Sequence, residues 1–312
     1  MNEGLNKGLV IKSTGSRYKV LDEKGRTLEC MIKGKFRVKG IRTTNPVAVG
    51  DHVYFEPSAD NKTGVIADIE ARNNYIIRKS SKLSKESQII AANIDQLFIL
   101  ATITEPETYP EFIDRVLATA EAYQLPVKVI FNKNDIYSAE QAEKQDFLVS
   151  VYRKTGYDSF SISLFSDNDV DKLKGLVKEK VTLLIGNSGV GKSSLINRIE
   201  PGYNLQTDEI SAYHRMGKHT TTFAEMYALS KGGYIIDTPG IKGFGVFDVD
   251  KEEIYHLFPE IFRASKKCRY YNCLHLNEPG CEVKNQLEQG KIESFRYRSY
   301  IHILEDNDTR YR

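Results

Sequence analysis

No apolar run in the chain approaches the ~20 residues that a membrane-spanning helix needs, so a membrane protein is not expected. Met1 is followed by Asn2, Glu3 and Gly4 with no apolar core behind them, which argues against a secretory signal and for a cytoplasmic address. Internal repeats and low-complexity stretches are also missing. Cysteine is scarce: four in 312 residues, three of them crowded between Cys268 and Cys281. In a reducing compartment that crowding reads as metal ligation and not as a disulfide framework. The formal net charge is only +2, too small for the whole chain to act as a polyanion binder. What is present, 40% hydrophobic against 28% charged residues, describes a globular protein long enough for two or three domains, each with its own core.

The charge is unevenly spread. From Lys33 to Arg42 the chain carries Lys33, Lys35, Arg37, Lys39 and Arg42 with no acidic residue, interleaved with Phe36, Val38 and Ile41. Such a segment suits an RNA backbone, although a strand and loop with one solvated face would read the same way. Around it lie short β-type runs, Leu9 to Lys12, Tyr18 to Leu21, Leu28 to Ile32, His52 to Phe55 and Val65 to Ile69, separated by Gly, Asn and Asp turns. That rhythm predicts a small closed sheet, an OB-type barrel by length and surface, with an SH3-like barrel as the alternative. The polar stretch from Arg78 to Ser87 reads as a linker.

Beyond it, apolar strands alternate with amphipathic helices: Gln96 to Ile103, a helical Glu111 to Tyr123, Val127 to Phe131, a helical Ala139 to Tyr152, then strands at Ser159 to Ser163, Val181 to Ile185 and Tyr234 to Ile236. Alternation of this kind predicts an α/β domain with a largely parallel sheet, whose ligands bind at the carboxyl ends of the strands. Val181 to Ile185 runs directly into Gly186-Asn187-Ser188-Gly189-Val190-Gly191-Lys192-Ser193, and a helix is expected from Ser194 to Ile199. This is a P-loop in its strand, loop and helix context: glycines let backbone N–H groups surround a phosphate, Lys192 adds charge, and the Ser193 hydroxyl is a magnesium ligand. The four defining positions would coincide by chance in roughly one per cent of chains of this length.

Tyr234 to Ile236 leads into Asp237-Thr238-Pro239-Gly240. Asp237 is suited to hold magnesium through water, and Gly240 to offer its N–H to a γ-phosphate. Between these motifs lies Gly217-Lys218-His219-Thr220-Thr221-Thr222, where Thr221 is the candidate switch threonine that completes the magnesium shell. The base is selected elsewhere. Asn132-Lys133-Asn134-Asp135 ends the strand Val127 to Phe131 with NKxD spacing, and a carboxylate at Asp135 can accept from both Watson–Crick-edge donors of guanine, where adenine presents an acceptor. Asn132 would support the loop, and the Lys133 stem would cover the base. Ser163 is a loose counterpart of the serine loop that closes such a pocket. The order is permuted: the base motif at 132, the serine loop at 163, the P-loop at 186, the threonines at 220 and the acidic turn at 237, whereas ordinary small GTPases begin with the P-loop. Permutation moves the chain ends while keeping the sheet.

Cys268, Cys273, His275 and Cys281 offer four ligands within one short loop, which predicts a closed tetrahedral Cys₃His site with one structural zinc per chain. Cys30, in a barrel strand, reads as a small buried hydrophobe. Arg263, Lys266, Lys267 and Arg269 flank the zinc ligands, and Val283 to Leu304 reads as one helix with Lys284, Lys291, Arg296 and Arg298 available for phosphate contact.

Taken together the barrel, NKND, GNSGVGKSS, KHTTT, DTPG and CRYYNCLHLNEPGC resemble, over nearly the whole chain, the circularly permuted, small-ribosomal-subunit-dependent GTPases of the RsgA or YjeQ family. The expected architecture is multidomain: an all-β OB-type barrel at 1–75, a circularly permuted α/β P-loop GTPase domain at 76–247, and a helical zinc-binding module at 248–312. The resemblance implies binding to the small subunit and its rRNA and slow GTP hydrolysis that the subunit stimulates, late in subunit maturation; a monomer that takes GTP or GDP, with magnesium, is expected. Ile241 follows DTPG where Ras-like proteins carry a water-orienting glutamine, so His219 is the candidate for that role. Two rivals share some of these motifs: a GTP-gated RNA chaperone without turnover, and a P-loop enzyme that phosphorylates a metabolite.

Overall fold

A computed structural model describes residues 4–32, 46–79, 87–207, 224–238 and 249–305. The basic segment from Lys33 to Arg42, including Lys35, Arg37 and Lys39, and the positions His219, Thr221 and Gly240 lie outside the described residues. Strands β1 (Asn6–Ser13), β2 (Tyr18–Asp22), β3 (Thr27–Ile32), β4 (His52–Pro57), β5 (Thr63–Ile69), β6 (Tyr75–Lys79) and β7 (Ser87–Ala92) open the chain. There follow β8 (Gln96–Ala101), α1 (Pro110–Ala122), β9 (Val127–Phe131), α2 (Ala139–Thr155), β10 (Asp158–Ser161), α3 (Asp167–Val177), β11 (Val181–Ile185) and α4 (Lys192–Ile199). Strands β12 (Glu225–Ala228) and β13 (Tyr234–Asp237) and helices α5 (Pro259–Ser265), α6 (Glu282–Glu288) and α7 (Ser294–Glu305) complete the elements. They form two compact units, Met1–Leu97 with Asp167–Ile241, and Phe98–Ser166 with Lys242–Arg312.

In the first unit the five expected barrel strands are all present and close on themselves. The order is β1-β2-β3-β5-β4 with β4 returning to β1, all neighbours antiparallel except β3 and β5, which run parallel. Closure of five strands with that one parallel pair is the OB-type arrangement; it removes the free sheet edges that an open sheet of this size would leave. Alternation along β1 to β5 sends Val10, Tyr18, Val20, Leu28, Cys30, Val53, Phe55 and Ile66 into one core. Cys30 is fully buried there, and burial pushes its thiol up to about 11, as expected of a small hydrophobe and not of a nucleophile.

The stretch read as a linker is bounded by structure. Residues 78–79 and 87 belong to an antiparallel strand pair, β6 with β7, which the polar composition of the stretch concealed. Its outgoing strand docks on the barrel through Ala92 N–H, which donates to Val49 O at 2.9 Å. Gly50 beside it has φ +91, and a Cβ there would stand 2.1 Å from Ala92 O, so only glycine allows the two backbones to meet. The approach is locked by Arg72, whose guanidinium makes two 2.7 Å bonds to the fully buried Asp51 carboxylate and one to Pro46 O. In the same unit β11 pairs parallel with β13, β13 antiparallel with β12, and β12 meets β1 at Lys12↔Glu225, where Lys12 Nζ is 2.8 Å from Glu225 Oε2.

In the second unit β10 pairs parallel with β9, and β9 neighbours β8, with α1 between β8 and β9 and α2 between β9 and β10 in sequence. Helix α1 starts on Pro110 and α2 on a Ser138 and Gln141 capping box, both ordinary start signals. The C-terminal elements α5, α6 and α7 pack around Phe258, Ile261, Val283, Ile292 and Tyr300, with Ala118 of α1 in the same cluster. Here the sequence reading needs two corrections. The single helix expected from Val283 to Leu304 is two, broken after Glu288 at Gly290, whose φ is +66. Arg296 is not available to phosphate: it is buried, with Nε 2.7 Å from Glu260 Oε1 and Nη1 2.7 Å from Asp114 Oδ1.

Candidate functional site

The P-loop lies in the first unit. β11 is buried on both faces, as its unbroken apolar sequence requires, and delivers Gly186 to the loop. Gly189 and Gly191 take φ of +85 and +104, conformations closed to other residues at little cost, so the chain folds back over itself before α4 begins. That helix starts at Lys192, two residues earlier than expected, with Gly191 as its N-cap. Val190 is fully buried, while Asn187, Ser188, Ser193 and Ser194 are half-buried around the loop. The Lys192 ammonium curls back to donate to Gly186 O at 2.9 Å and Asn187 O at 3.0 Å. Burial lowers its pKa, and the negative charge of Asp237 works against that shift. Asp237 lies opposite Leu184 at the end of β13 and is buried; Thr238 next to it donates from Oγ1 to Leu184 O at 3.0 Å.

The NKND loop lies in the second unit, at the carboxyl end of β9. Asn132 is buried, and its N–H donates to Ala101 O at the end of β8 (2.8 Å). Lys133 is left-handed (φ +69), and its Nζ donates to Glu105 O. Asn134 N–H donates to Ile162 O at 3.2 Å, which brings the serine loop alongside the NKND loop. Ser163 itself is buried; its Oγ accepts from Phe165 N–H (3.1 Å) and its carbonyl from Ser166 N–H (3.1 Å), so it shapes its own turn. Asp135 stands exposed at the rim. One supporting residue was not legible in the motifs: Tyr137, whose hydroxyl donates to Asn132 O at 2.6 Å and accepts from Ile103 N–H at 2.9 Å. A tyrosine two residues past NKxD was its only signal.

The third group, also in the second unit, is the ligand set. The ligating atoms of Cys268, Cys273, His275 and Cys281 all lie within 4.8 Å of one another. Cys268 Sγ and Cys281 Sγ are 3.9 Å apart, and His275 Nδ1 is 3.6 and 3.5 Å from them. A tetrahedron with metal–sulfur bonds of about 2.3 Å and a metal–nitrogen bond of about 2.05 Å has edges of about 3.8 and 3.6 Å, so Cys268, Cys281 and His275 already stand at tetrahedral spacing. The electrostatics agree. Burial pushes the Cys273 thiol up to about 12 and raises that of Cys281, so thiolates there need a cation beside them. Burial also lowers the His275 pKa, keeping the imidazole neutral and fit to ligate.

The surroundings aim these ligands. Tyr297 and Tyr300 of α7 donate to His275 O (2.6 Å) and Leu274 O (2.7 Å). The Glu278 carboxylate accepts from the N–H groups of Leu274, Leu276 and Asn277 at 2.8 to 3.1 Å, holding His275 in its left-handed conformation (φ +62). Although burial opposes ionisation of Glu278, those N–H groups keep its pKa below the usual value.

Comparison with known proteins gives a consistent picture. Residues 7–66 match the RsgA N-terminal domain family and residues 69–247 the RsgA GTPase family. The chain is 55% identical over 302 residues to the small ribosomal subunit biogenesis GTPase RsgA of Phocaeicola vulgatus, with 97% of each chain covered. It is 52% identical over 307 residues to the protein of that name from Christiangramia forsetii, with 98% of each covered. Among solved structures it resembles YjeQ from Thermotoga maritima (TM-score 0.72, 31% identity, 97% and 98% covered). It also resembles YloQ, a circularly permuted GTPase (TM-score 0.69, 28% identity, 98% and 96% covered).

Proposed function

This chain belongs to the RsgA GTPase family, and from that premise we propose that it binds the small ribosomal subunit and its rRNA and hydrolyses GTP late in subunit maturation, the subunit accelerating a slow reaction. The observation that carries the guanine assignment is the Asn132–Asp135 loop. Its backbone is tied to β8 and to the serine loop, so Asp135 is presented at the rim by a rigid frame, in a chain that also carries a P-loop.

In this reading the N–H groups of Gly186 to Ser194 cradle the phosphates, and Lys192 exchanges its carbonyl partners for phosphate oxygens. Ser193 and Thr221, with Asp237 through water, would hold magnesium, which would supply positive charge to the nucleotide's phosphates. Gly240 donates to the γ-phosphate, and His219 orients the attacking water. Asp135 accepts from guanine, Asn132 and Asn134 hold the loop, the Lys133 stem covers the base, and Ser163 closes the pocket. Zinc at Cys268, Cys273, His275 and Cys281 supplies folding energy and no chemistry, since a closed set of four protein ligands leaves no position for substrate. The organisation is a barrel at 1–75, a permuted GTPase domain at 76–247 and a zinc module at 248–312. The protein acts as a cytoplasmic monomer without a membrane partner; among the described residues no helix is long and apolar enough to cross a membrane.

Multiple-turnover GTP hydrolysis with and without purified small subunits tests the proposal. Stimulation by small subunits, and none by large ones, is expected. Absence of turnover in both conditions would favour a GTP-gated chaperone.

A further inference from the structure

Between two of the metal ligands, Cys268 and Cys273, the chain presents Arg269, Tyr270, Tyr271 and Asn272. Tyr271 is 98% exposed, and Tyr270 and Phe262 nearby are also exposed. Single exposed aromatics need no explanation, but Tyr270 and Tyr271 stand side by side in one loop, the first with a guanidinium against its ring, and together form a surface. The Arg269 guanidinium lies 5.6 Å from the Tyr270 ring centroid, and Lys266 Nζ 4.8 Å from that of Phe262. From Ile261 to Asn277 there are four basic residues, Arg263, Lys266, Lys267 and Arg269, and no acidic one.

The loop that carries Tyr271 is held at several points. Cys268 N–H donates to Ser265 O at 2.9 Å, Arg269 N–H to Gly280 O at 3.2 Å, and Cys273 N–H to Tyr270 O at 3.4 Å. A ring on a fixed backbone has lost little freedom still to lose on binding, so it is a preorganised platform. Basic charge attracts any polyanion; a flat, fully exposed ring adds an attraction only for a partner with a free π-face. Bases inside a duplex have none to offer, whereas an unpaired base does.

We propose that Tyr271, on a loop whose Arg269 lies against the neighbouring Tyr270 ring, stacks on an unpaired RNA base, so that the zinc module reads a single-stranded element and not only the phosphate backbone. The assignment rests on the rRNA-binding role proposed above and gives it a local chemistry.

The chain contains no tryptophan, so Tyr271→Trp places a unique fluorophore at the site. Titrating that full-length variant with a 12-residue oligouridylate should quench its emission saturably, and heparin, a polyanion without bases, should not. In parallel, Tyr271→Ala should bind the oligouridylate ~5- to 100-fold more weakly while Tyr271→Phe binds as wild type does, because the ring face and not the hydroxyl makes the contact. Metal content and GTP affinity of each variant report that it is folded. No quenching, or equal quenching by heparin, overturns the proposal, as does an alanine variant with unchanged affinity. Small subunits that fail to accelerate wild-type GTP turnover would remove the rRNA-binding role itself; accelerated turnover with an unquenched tryptophan removes only the stacking.

Discussion

Arg296 Nη1 lies 2.7 Å from Asp114 Oδ1, a contact between residues 182 apart in sequence, both fully buried. Glu260 closes the other side of the guanidinium at 2.7 and 3.1 Å, Tyr152 donates to Asp114 at 3.0 Å, and the Phe258 ring lies 4.8 Å from the guanidinium carbon. Helices α1, α5 and α7 are thereby joined by charges that have left water. Taking one away strands the others. Arg296→Met should therefore destabilise this unit by ~3–5 kcal/mol, measured by urea unfolding, while replacing all three charges with apolar residues of similar volume should cost much less. A cost under ~1 kcal/mol for the single change would mean that water reaches the network.

A second stability prediction concerns Gly50. Alanine there meets Ala92 O at 2.1 Å in a backbone conformation with φ +91, so strain and clash act together. Gly50→Ala should lower the thermal midpoint and loosen the contact between barrel and β7, at a cost of ~1–3 kcal/mol. Hydrogen exchange at Ala92 N–H, bonded to Val49 O, is the local readout. Unchanged protection there would contradict the packing.

Chelation is the test of the Cys₃His centre. About one zinc per chain is expected in protein purified without chelators. Its removal should unfold α5 to α7 before the P-loop region, because ligand sets of this kind fold with their metal. Raising the Cys273 and Cys281 thiols, as burial does, makes the metal-free loop bind protons that zinc displaces, so apparent affinity should fall as pH falls. Metal analysis that finds no zinc would end the assignment.

Guanine selectivity is tested at Asp135. The exposed carboxylate on its rigid loop should, as Asp135→Asn, lose GTP affinity by at least tenfold, about 1.4 kcal/mol, and gain xanthine nucleotides, whose C2 carbonyl suits an amide donor. Tyr137→Phe, which removes the bond to Asn132 O, should weaken GTP binding by a smaller factor and leave the base preference unchanged. Titration with GTP and XTP distinguishes the two.

For His219 the readout is single-turnover hydrolysis at saturating small subunits. His219→Ala is expected to slow it ~10²- to 10⁴-fold, the usual range for loss of a group that transfers or orients a proton, with GTP and subunit affinity retained. Wild-type rates under those conditions would leave His219 without a catalytic part.

Chemistry carried by contiguous residues was determined by the sequence alone. Gly186 to Ser193 form a P-loop wherever a strand feeds them and a helix follows, since the glycine conformations and N–H directions are local properties. Cys268, Cys273, His275 and Cys281 fall within fourteen positions, close enough for one loop to gather them. The alternation of β1 to β5 and the apolar run of β11 likewise announced their burial. Tertiary structure decided what depends on distant partners. A polar stretch between two strands reads as a linker until the strands pair, as β6 and β7 do. The parallel β3 and β5 pairing, which closes the barrel, leaves no trace in either strand. An arginine among lysines on a helix reads as surface charge, and only the carboxylates of Asp114 and Glu260, brought from far along the chain, give the Arg296 guanidinium the partners without which its burial would strand a charge.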